Sequence, residues 1–109
     1  MKPALPDILH RYFAAQNAHD VDAMVACFVP DAVVRDEGKD IIGTQAIRTW
    51  KTETSAKYRI TAEPLEGRPD ADRTIVVVRV SGMFPGSPAK LTHRFGFSSD
   101  GRINALEVH

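Results

Sequence analysis

The sequence predicts an α+β fold in which about three N-terminal helices pack against one face of a curved antiparallel sheet. Helical periodicity dominates residues 7–57 with one short strand between helices, whereas residues 58–109 alternate between strand-like runs and turn residues. Apolar residues make up 43% and charged residues 26% of the 109, which is typical of a globular protein. We therefore expect a single domain over residues 1–109, cone-shaped because the sheet bends around the helices.

The first two helices are predicted from capping residues and apolar stripes. Asp7 is placed to cap a helix that ends near Asn17, and Asp20 is placed to cap a second helix that ends before Pro30. The first stripe consists of Ile8, Leu9, Tyr12 and Phe13. The second consists of Val21, Met24, Val25 and Phe28. Tyr12 thus points inward, where its hydroxyl must find a hydrogen-bond partner or a polar cavity.

A short strand over residues 31–37 follows. Alternate side chains of a strand share a face, so Ala32, Val34 and Asp36 point to the same side. Asp36 is then a carboxylate on an apolar line, where burial would raise its pKa and make it a proton acceptor near neutral pH. The alternative is structural, since Asp beside a glycine such as Gly38 is typical of a strand end that enters a turn.

A third helix is expected from Thr44, its cap, to about Lys57. Ile47, Trp50 and Thr54 fall on one face of it. Residues 58–66 then mix β-branched and polar side chains around a proline, which predicts an edge strand or a bulge. Residues 67–72 are predicted to be a polar turn.

The last three strands are expected at residues 74–84, 89–98 and 102–109, separated by Pro-Gly and Asp-Gly turns. The run over residues 75–78 is continuously apolar, which predicts that both faces of its strand are covered. In the next strand, four side chains share the inward face. They are Leu91, His93, Phe95 and Phe97.

Charge and composition exclude several classes of partner. Lys plus Arg balance Asp plus Glu at 14 each without a basic cluster, so no nucleic acid is expected as a partner. The first six residues lack the apolar segment of a signal peptide, and no run approaches membrane-spanning length. The single cysteine, Cys27, fits a reducing compartment, so we expect a cytoplasmic protein without a membrane partner. The four histidines show no metal-ligand spacing, and neither a metal nor another cofactor is predicted.

Three inward polar residues form a candidate catalytic site. They are Tyr12 on the first helix, Asp36 at the end of the first strand and His93 on the penultimate predicted strand. A carboxylate base with two neutral donors inside an apolar cavity suits proton abstraction beside a carbonyl, with the donors stabilising the enolate oxygen. The predicted substrate contacts are Trp50, Phe28, Phe95 and Val34. For Trp50 the alternative is structural, namely packing of the third helix against the sheet.

Several stretches resemble the NTF2-like superfamily, and within it the SnoaL-like polyketide cyclases and ketosteroid isomerases. These stretches are residues 11–13, 19–20, 27–36, 43–47 and 100–103. The resemblance implies a cone-shaped fold that is commonly dimeric, with a pocket for a small hydrophobic cyclic ligand. It also implies that Asp36, five residues after Asp31, is the base and that Tyr12, which follows Arg11, is the oxyanion donor. His93 stands where the isomerases carry a protonated Asp, and a neutral imidazole still donates one hydrogen bond.

Two alternatives to an isomerase or cyclase remain. The cavity binds a hydrophobic ligand without turnover, or the fold serves as a dimerisation module, since fold does not imply function. The resemblance also includes epoxide hydrolases, which use an Asp-Arg-Asp arrangement. Strand alternation, however, points Arg79 and Arg94 away from the cavity.

Overall fold

Three helices and six strands make up the part of the chain that the computed structural model describes, residues 4–109. Residues 1–3, which belong to the N-terminal segment interpreted above, lie outside the described residues. The elements in chain order are α1 (Asp7–Asn17), α2 (Val21–Ala26), β1 (Phe28–Asp36), β2 (Lys39–Ile42), α3 (Thr44–Tyr58), β3 (Thr61–Asp70), β4 (Arg73–Ser81), β5 (Ala89–Phe97) and β6 (Ile103–Val108).

The six strands form one sheet in the order β2-β1-β6-β5-β4-β3, with the helices on one face. Helix α1 packs against β3, α3 packs against β1 and β2, and α2 contacts both other helices. The α+β architecture is therefore confirmed. One feature differs from the prediction: β1 and β6 run parallel, and only the other neighbouring pairs are antiparallel. The last strand returns beside the first after the whole meander has intervened, so no tight turn dictates their relative direction.

The helix boundaries show which capping predictions hold. The Asp20 side chain accepts a hydrogen bond from the Ala23 N–H at 3.1 Å, which confirms it as the cap of α2. Helix α1 begins at Asp7 itself, after Pro6, without a side-chain cap. Helix α3 likewise begins at Thr44, with Gly43 in the capping position. The predictions that Asp7 and Thr44 cap their helices are therefore wrong.

The end of α2 was also predicted too late. The helix ends at Ala26, and the chain enters β1 at Phe28, so Pro30 lies within the strand instead of ending the helix. Pro30 is exposed and falls where the pairing with β6 is irregular, between Phe28 and Val33. A proline is tolerated at such a position because no ladder hydrogen bond requires its missing N–H.

Strand β3 is longer than its composition indicates. It lies at the edge of the sheet and bulges between Pro64 and Glu66, as predicted. The predicted turn over residues 67–72 is wrong, because pairing with β4 continues to Asp70 and only two residues connect the strands. Gly67 and Pro69 fit an edge strand, where only one side of the backbone is hydrogen bonded.

Only one face of β4 is fully covered. Val76, Val78 and Val80 are buried beneath the helices, whereas on the outer face Val77 is half-buried and Arg79 is exposed. The prediction that both faces of β4 are covered is thus wrong at Val77 and Arg79, because all three helices lie on the inner side of the sheet. Arg79 binds Glu63 on the outer face at 2.8 Å, which confirms that it points away from the interior.

The core fills most of the space between helices and sheet. Tyr12 packs edge-to-face on Phe28 and Phe95, with ring centroids 5.7 and 5.8 Å apart. On β1, Ala32 and Val34 are fully buried, whereas Arg35, the residue after Val34, is exposed. This confirms the predicted alternation of inward and outward side chains. Asp36 follows Val34 on the inner face, at the point where the core gives way to a cavity.

Candidate active site

A cavity of about 90 Å³ lies between α1, α3 and the inner face of the sheet. It combines an apolar wall with several polar groups. The polar and aromatic lining residues are Tyr12, Phe13, Gln16, Asp36, Trp50, Lys51, Thr54 and His93. The three predicted catalytic residues are thus brought to one cavity from α1, β1 and β5.

Asp36 occupies the last position of β1 and is half-buried. Trp50 of α3 donates its indole N–H to Asp36 Oδ2 at 3.1 Å, which leaves Oδ1 for another partner. Burial raises the pKa of Asp36, although the Trp50 hydrogen bond and the positive charge of Lys51 oppose the rise. The following residues, Glu37 and Gly38, have φ angles of 53° and 76°, as in a tight hairpin turn. Asp36 therefore both enters a turn and lines a cavity.

Lys51 is a buried cation that the sequence analysis missed. Only 4% of its surface is exposed, and its Nζ donates to Tyr12 Oη and, at 2.9 Å, to Gln16 Oε1. The same Nζ lies 4.2 Å from the ring centroid of Trp50. Burial lowers the pKa of Lys51 to about 7, although the charge of Asp36 opposes this. An ammonium and a free amine are therefore both accessible near neutral pH.

Tyr12 lines the cavity and is hydrogen bonded to Lys51. Its hydroxyl oxygen accepts a hydrogen bond from Lys51 Nζ, so its own proton is free for another acceptor. Burial raises the pKa of Tyr12, and the neighbouring Cys27 and Asp36 raise it further. Tyr12 therefore stays protonated near neutral pH, as a hydrogen-bond donor must.

His93 is buried and uncharged at neutral pH. Burial, followed by the positive charge of Lys51, lowers its pKa to about 3. Among the described residues, neither His93 Nδ1 nor Gln16 Nε2 has a hydrogen-bond partner, although both atoms are fully buried. Buried polar atoms rarely stay unpaired, so these two atoms favour a polar occupant of the cavity.

Of the four predicted substrate contacts, only Trp50 lines the cavity. Phe28, Phe95 and Val34 are at most 3% exposed and lie among the core residues around Tyr12. Their placement in the substrate site is therefore not supported. Strand alternation gave the inward face for Val34 and Phe95, and the apolar stripe of the second predicted helix gave it for Phe28. Neither pattern indicates how deep the packed core extends.

An open groove of about 520 Å³ adjoins the cavity on the outside, between β2 and α3. Asp36, Trp50 and Thr54 line both the groove and the cavity, so these three side chains lie at the boundary between the two. Tyr58 and Ile41 provide apolar surface in the groove, and charged side chains surround them. A ligand larger than the cavity therefore has room for its remaining part in this groove.

Over residues 4–109, no group of three or more His, Cys, Asp or Glu side chains is placed to hold a metal ion. None of the helices described there is both long and apolar enough to cross a membrane.

Solved structures show the same fold. A proposed polyketide cyclase from Sinorhizobium meliloti is 46% identical, with a TM-score of 0.91 over 96% of this chain and 95% of that chain. A protein with a ketosteroid isomerase-like fold from Catenulispora acidiphila, in complex with trimethylamine, is 18% identical (TM-score 0.84, covering 97% and 86% of the two chains). An epoxide hydrolase/cyclase-like enzyme of pyran ring formation in salinomycin is 23% identical (TM-score 0.76, 94% and 86%).

The family assignment rests on most of the chain. No curated protein matches the sequence. The sequence profile of the SnoaL-like domain matches residues 9–106, which include all six strands up to Leu106 and every residue that lines the cavity except Val108. Together with the 46% identity to the Sinorhizobium meliloti protein, this confirms the predicted resemblance. The chain belongs to the family of SnoaL-like domains.

Proposed function

We propose that this protein binds a cyclic carbonyl compound and moves a proton at the carbon beside the carbonyl, as an isomerase or cyclase. Asp36 is the base, and Tyr12 donates a hydrogen bond to the carbonyl oxygen. The observation that carries the proposal is that a half-buried carboxylate with a raised pKa and a buried, protonated phenol line one cavity. A base and an oxyanion donor on either side of a bound ketone are the groups that enolisation requires.

Lys51 strengthens the donor side of this site. Its Nζ donates to the Tyr12 hydroxyl, so a protonated Lys51 polarises the Tyr12 O–H toward the enolate. Negative charge that develops on the carbonyl oxygen is then stabilised by Tyr12 directly and by Lys51 behind it. His93 is neutral and has an unpartnered Nδ1, which fits the orienting or second-donor role predicted for it.

The cavity volume limits how the substrate enters. About 90 Å³ corresponds to roughly three water volumes, whereas pockets for drug-sized ligands are about 300–1,000 Å³. We therefore propose that the reacting carbonyl end enters the cavity and that the rest of a polyketide-like substrate lies along the groove beside Trp50 and Tyr58.

Proton exchange tests this function directly. Mono- and polycyclic ketones are incubated in D₂O with the protein, and loss of the signals of the protons beside the carbonyl is followed by NMR. We expect Asp36→Asn to slow the exchange about 10²–10⁴-fold and Tyr12→Phe about 10²–10³-fold. Asp72→Asn, which alters an exposed carboxylate in the β3–β4 turn, should leave the rate unchanged. Exchange that persists in Asp36→Asn contradicts the assignment of the base.

The second candidate function is binding without turnover, and the small volume of the cavity favours it. Fluorescent phenols separate the two candidates, because a bound phenolate mimics the enolate. Tyr12→Phe should weaken phenol binding, and Asp36→Asn should preserve or strengthen it by removing a negative charge. If phenols bind in this pattern but no ketone exchanges protons, the protein is a binding module.

We also propose a homodimer formed through the outer face of the sheet, in a reducing compartment such as the cytoplasm. On that face Val33 is 40% exposed, and it borders a shallow depression lined by Asp31, Arg35 and Glu107. Cys27 is a buried free thiol whose pKa is raised by burial, as expected of a packing residue. Light scattering of the wild type and Val33→Asp tests the dimer: a monomeric wild type contradicts it.

A further inference from the structure

Lys51 has more chemistry available to it than the proposed proton transfer uses. Its Nζ is buried at the wall of a cavity, not at the surface, and Trp50 and Thr54 of the same helix line both this cavity and the outer groove. Lysine side chains are almost never fully buried unless a charged partner accompanies them. No Lys51–carboxylate ion pair within 4.0 Å forms among the described residues; its hydrogen bonds go to the neutral groups of Tyr12 and Gln16.

We propose that Lys51 is a nucleophilic amine that captures a small aldehyde or ketone in the cavity as a covalent imine. An amine that is desolvated among aromatic and aliphatic side chains is the form of lysine that attacks carbonyl groups in proteins. The lowered pKa of Lys51, about 7, supports the proposal because the attacking species is the free amine.

The capture balances without an added reagent. The lone pair of Lys51 Nζ forms a bond to the carbonyl carbon as the C=O π bond breaks; the carbonyl oxygen takes up one proton and the nitrogen gives up one of its two, which leaves a neutral carbinolamine. Loss of a proton from nitrogen and of the hydroxyl group as water then leaves the C=N bond. The overall reaction is one amine and one carbonyl compound to one imine and one water, with no change in oxidation state.

The groups around Lys51 can move the protons of this reaction. Tyr12, on α1, contacts Nζ directly and carries a proton that it can donate to the carbonyl or carbinolamine oxygen. Asp36, on β1, is close enough for its charge to raise the pKa of Lys51, and the same charge stabilises the positive nitrogen that forms on attack. His93, on β5, remains neutral and adds no opposing charge. The Gln16 amide, with an unpartnered Nε2, can hold the released water or the carbonyl oxygen.

The size of the cavity sets the substrate class. About 90 Å³ admits a carbonyl group with a few carbon atoms, so the expected ligands are short aldehydes and ketones or a carbonyl at the end of a longer chain. Capture goes beyond the proposed function, because no proton has to leave the carbon beside the carbonyl. The two proposals can also be refuted separately. Asp36→Asn tests proton exchange of the ketone, whereas reductive trapping with propanal measures a covalent bond to Lys51.

Reductive trapping with propanal tests the proposal. The wild-type protein is treated with propanal and cyanoborohydride at about pH 7, and the rate at which each lysine gains one propyl group is followed by peptide mass spectrometry. A lysine with the ordinary pKa of about 10.4 is a free amine in well under about 1% of molecules at this pH. We therefore expect Lys51 to be labelled at least about tenfold faster than exposed Lys90 on the outer face of β5.

Variants separate capture from general accessibility. Lys51→Arg keeps the positive charge and should lose the fast label, whereas Lys90→Arg should retain it. Tyr12→Phe removes the proton donor and should slow labelling of Lys51 about tenfold without altering that of Lys90. Labelling of Lys51 in the wild type at the same rate as Lys90, or more slowly, overturns the proposal. That measurement needs no variant, so a variant that fails to fold does not affect it.

Discussion

Replacement of Lys51 by Met should change how the stability of the protein depends on pH. Met has a similar length and no charge, so it fills the same space beside Trp50 and Tyr12 without the cost of burying an ammonium. Lys51 is 4% exposed, and solvent therefore screens its charge little. Its protonation should consequently be coupled strongly to folding.

The sign follows from the two protonation states. The pKa of Lys51 is about 7 in the folded protein against 10.5 for an ordinary lysine, so between these values the unfolded chain binds more protons. The free energy of unfolding therefore rises with pH in this window. The slope approaches about 1.4 kcal/mol per pH unit above the folded pKa, which gives about 2 kcal/mol between about pH 7 and pH 9.

Urea unfolding at a series of pH values measures this effect. We expect the free energy of unfolding of the wild type, minus that of Lys51→Met, to rise by about 2 kcal/mol over this range. The subtraction removes contributions from other groups, such as the Cys27 thiol, whose raised pKa lowers stability as the pH passes the unfolded value of 9.0. Lys90→Met, at an exposed position, is the matched control and should show no such difference. If the free energy of unfolding depends on pH in the same way in the wild type and in Lys51→Met, the reasoning is refuted.

Substitutions at three further positions test the fold by urea unfolding. Asp20→Ala should cost about 1 kcal/mol because Ala23 loses its capping acceptor, and an unchanged midpoint contradicts that role. Phe95→Ala should cost about 3–5 kcal/mol, since Phe95 is fully buried against Tyr12 and Phe13; a loss below about 1 kcal/mol means that the core collapses into the space. Gly38→Ala should cost about 1–2 kcal/mol from backbone strain alone, because φ is 76° and no atom lies within 4 Å of the added methyl group; Gly38→Asn should cost less.

Local sequence patterns predicted the fold where one physical effect dominates. The alternation of Ala32, Val34 and Asp36 identified the inner face of β1, because strand geometry allows only two faces. The same approach failed over residues 67–72, where one glycine, one proline and several charged residues are typical of a turn. There the long partner strand β4 imposes pairing on the chain, and an edge position accepts a proline. Tertiary pairing therefore overrides composition at sheet edges.

Sequence patterns predicted only part of the candidate site, because periodicity identifies the face on which a residue lies and not its partners. Tyr12, Asp36 and His93 could be assigned to inner faces from periodicity, and all three reach one cavity. Lys51 was missed although it lies four residues after buried Ile47, on the face that continues to Ser55. The four-residue spacing from Ile47 places Lys51 on the buried face of α3. A charged residue on an amphipathic helix is, however, ordinarily assigned to the solvent-exposed face. Only the three-dimensional arrangement reveals that Tyr12 and Gln16 receive its hydrogen bonds.

The two roles proposed for Lys51 require different protonation states, and a bound anion should select between them. Stabilisation of an enolate uses the ammonium, whereas imine formation uses the free amine. A small carboxylate such as acetate has a fixed negative charge above about pH 6, so its binding beside Lys51 should hold the ammonium form. Acetate should then inhibit propanal labelling of Lys51, and the inhibition should weaken about tenfold for each pH unit above about 7.

Asp36 is the other charged group that faces this site, and its carboxylate opposes the binding of an anion. Asp36→Asn should therefore make acetate a stronger inhibitor while the dependence on pH, which comes from Lys51, is retained. Inhibition that is independent of pH between about 7 and 9 would mean that acetate binds away from Lys51 Nζ. In that case the ammonium does not face the ligand, and enolate stabilisation has to be assigned to Tyr12 without Lys51.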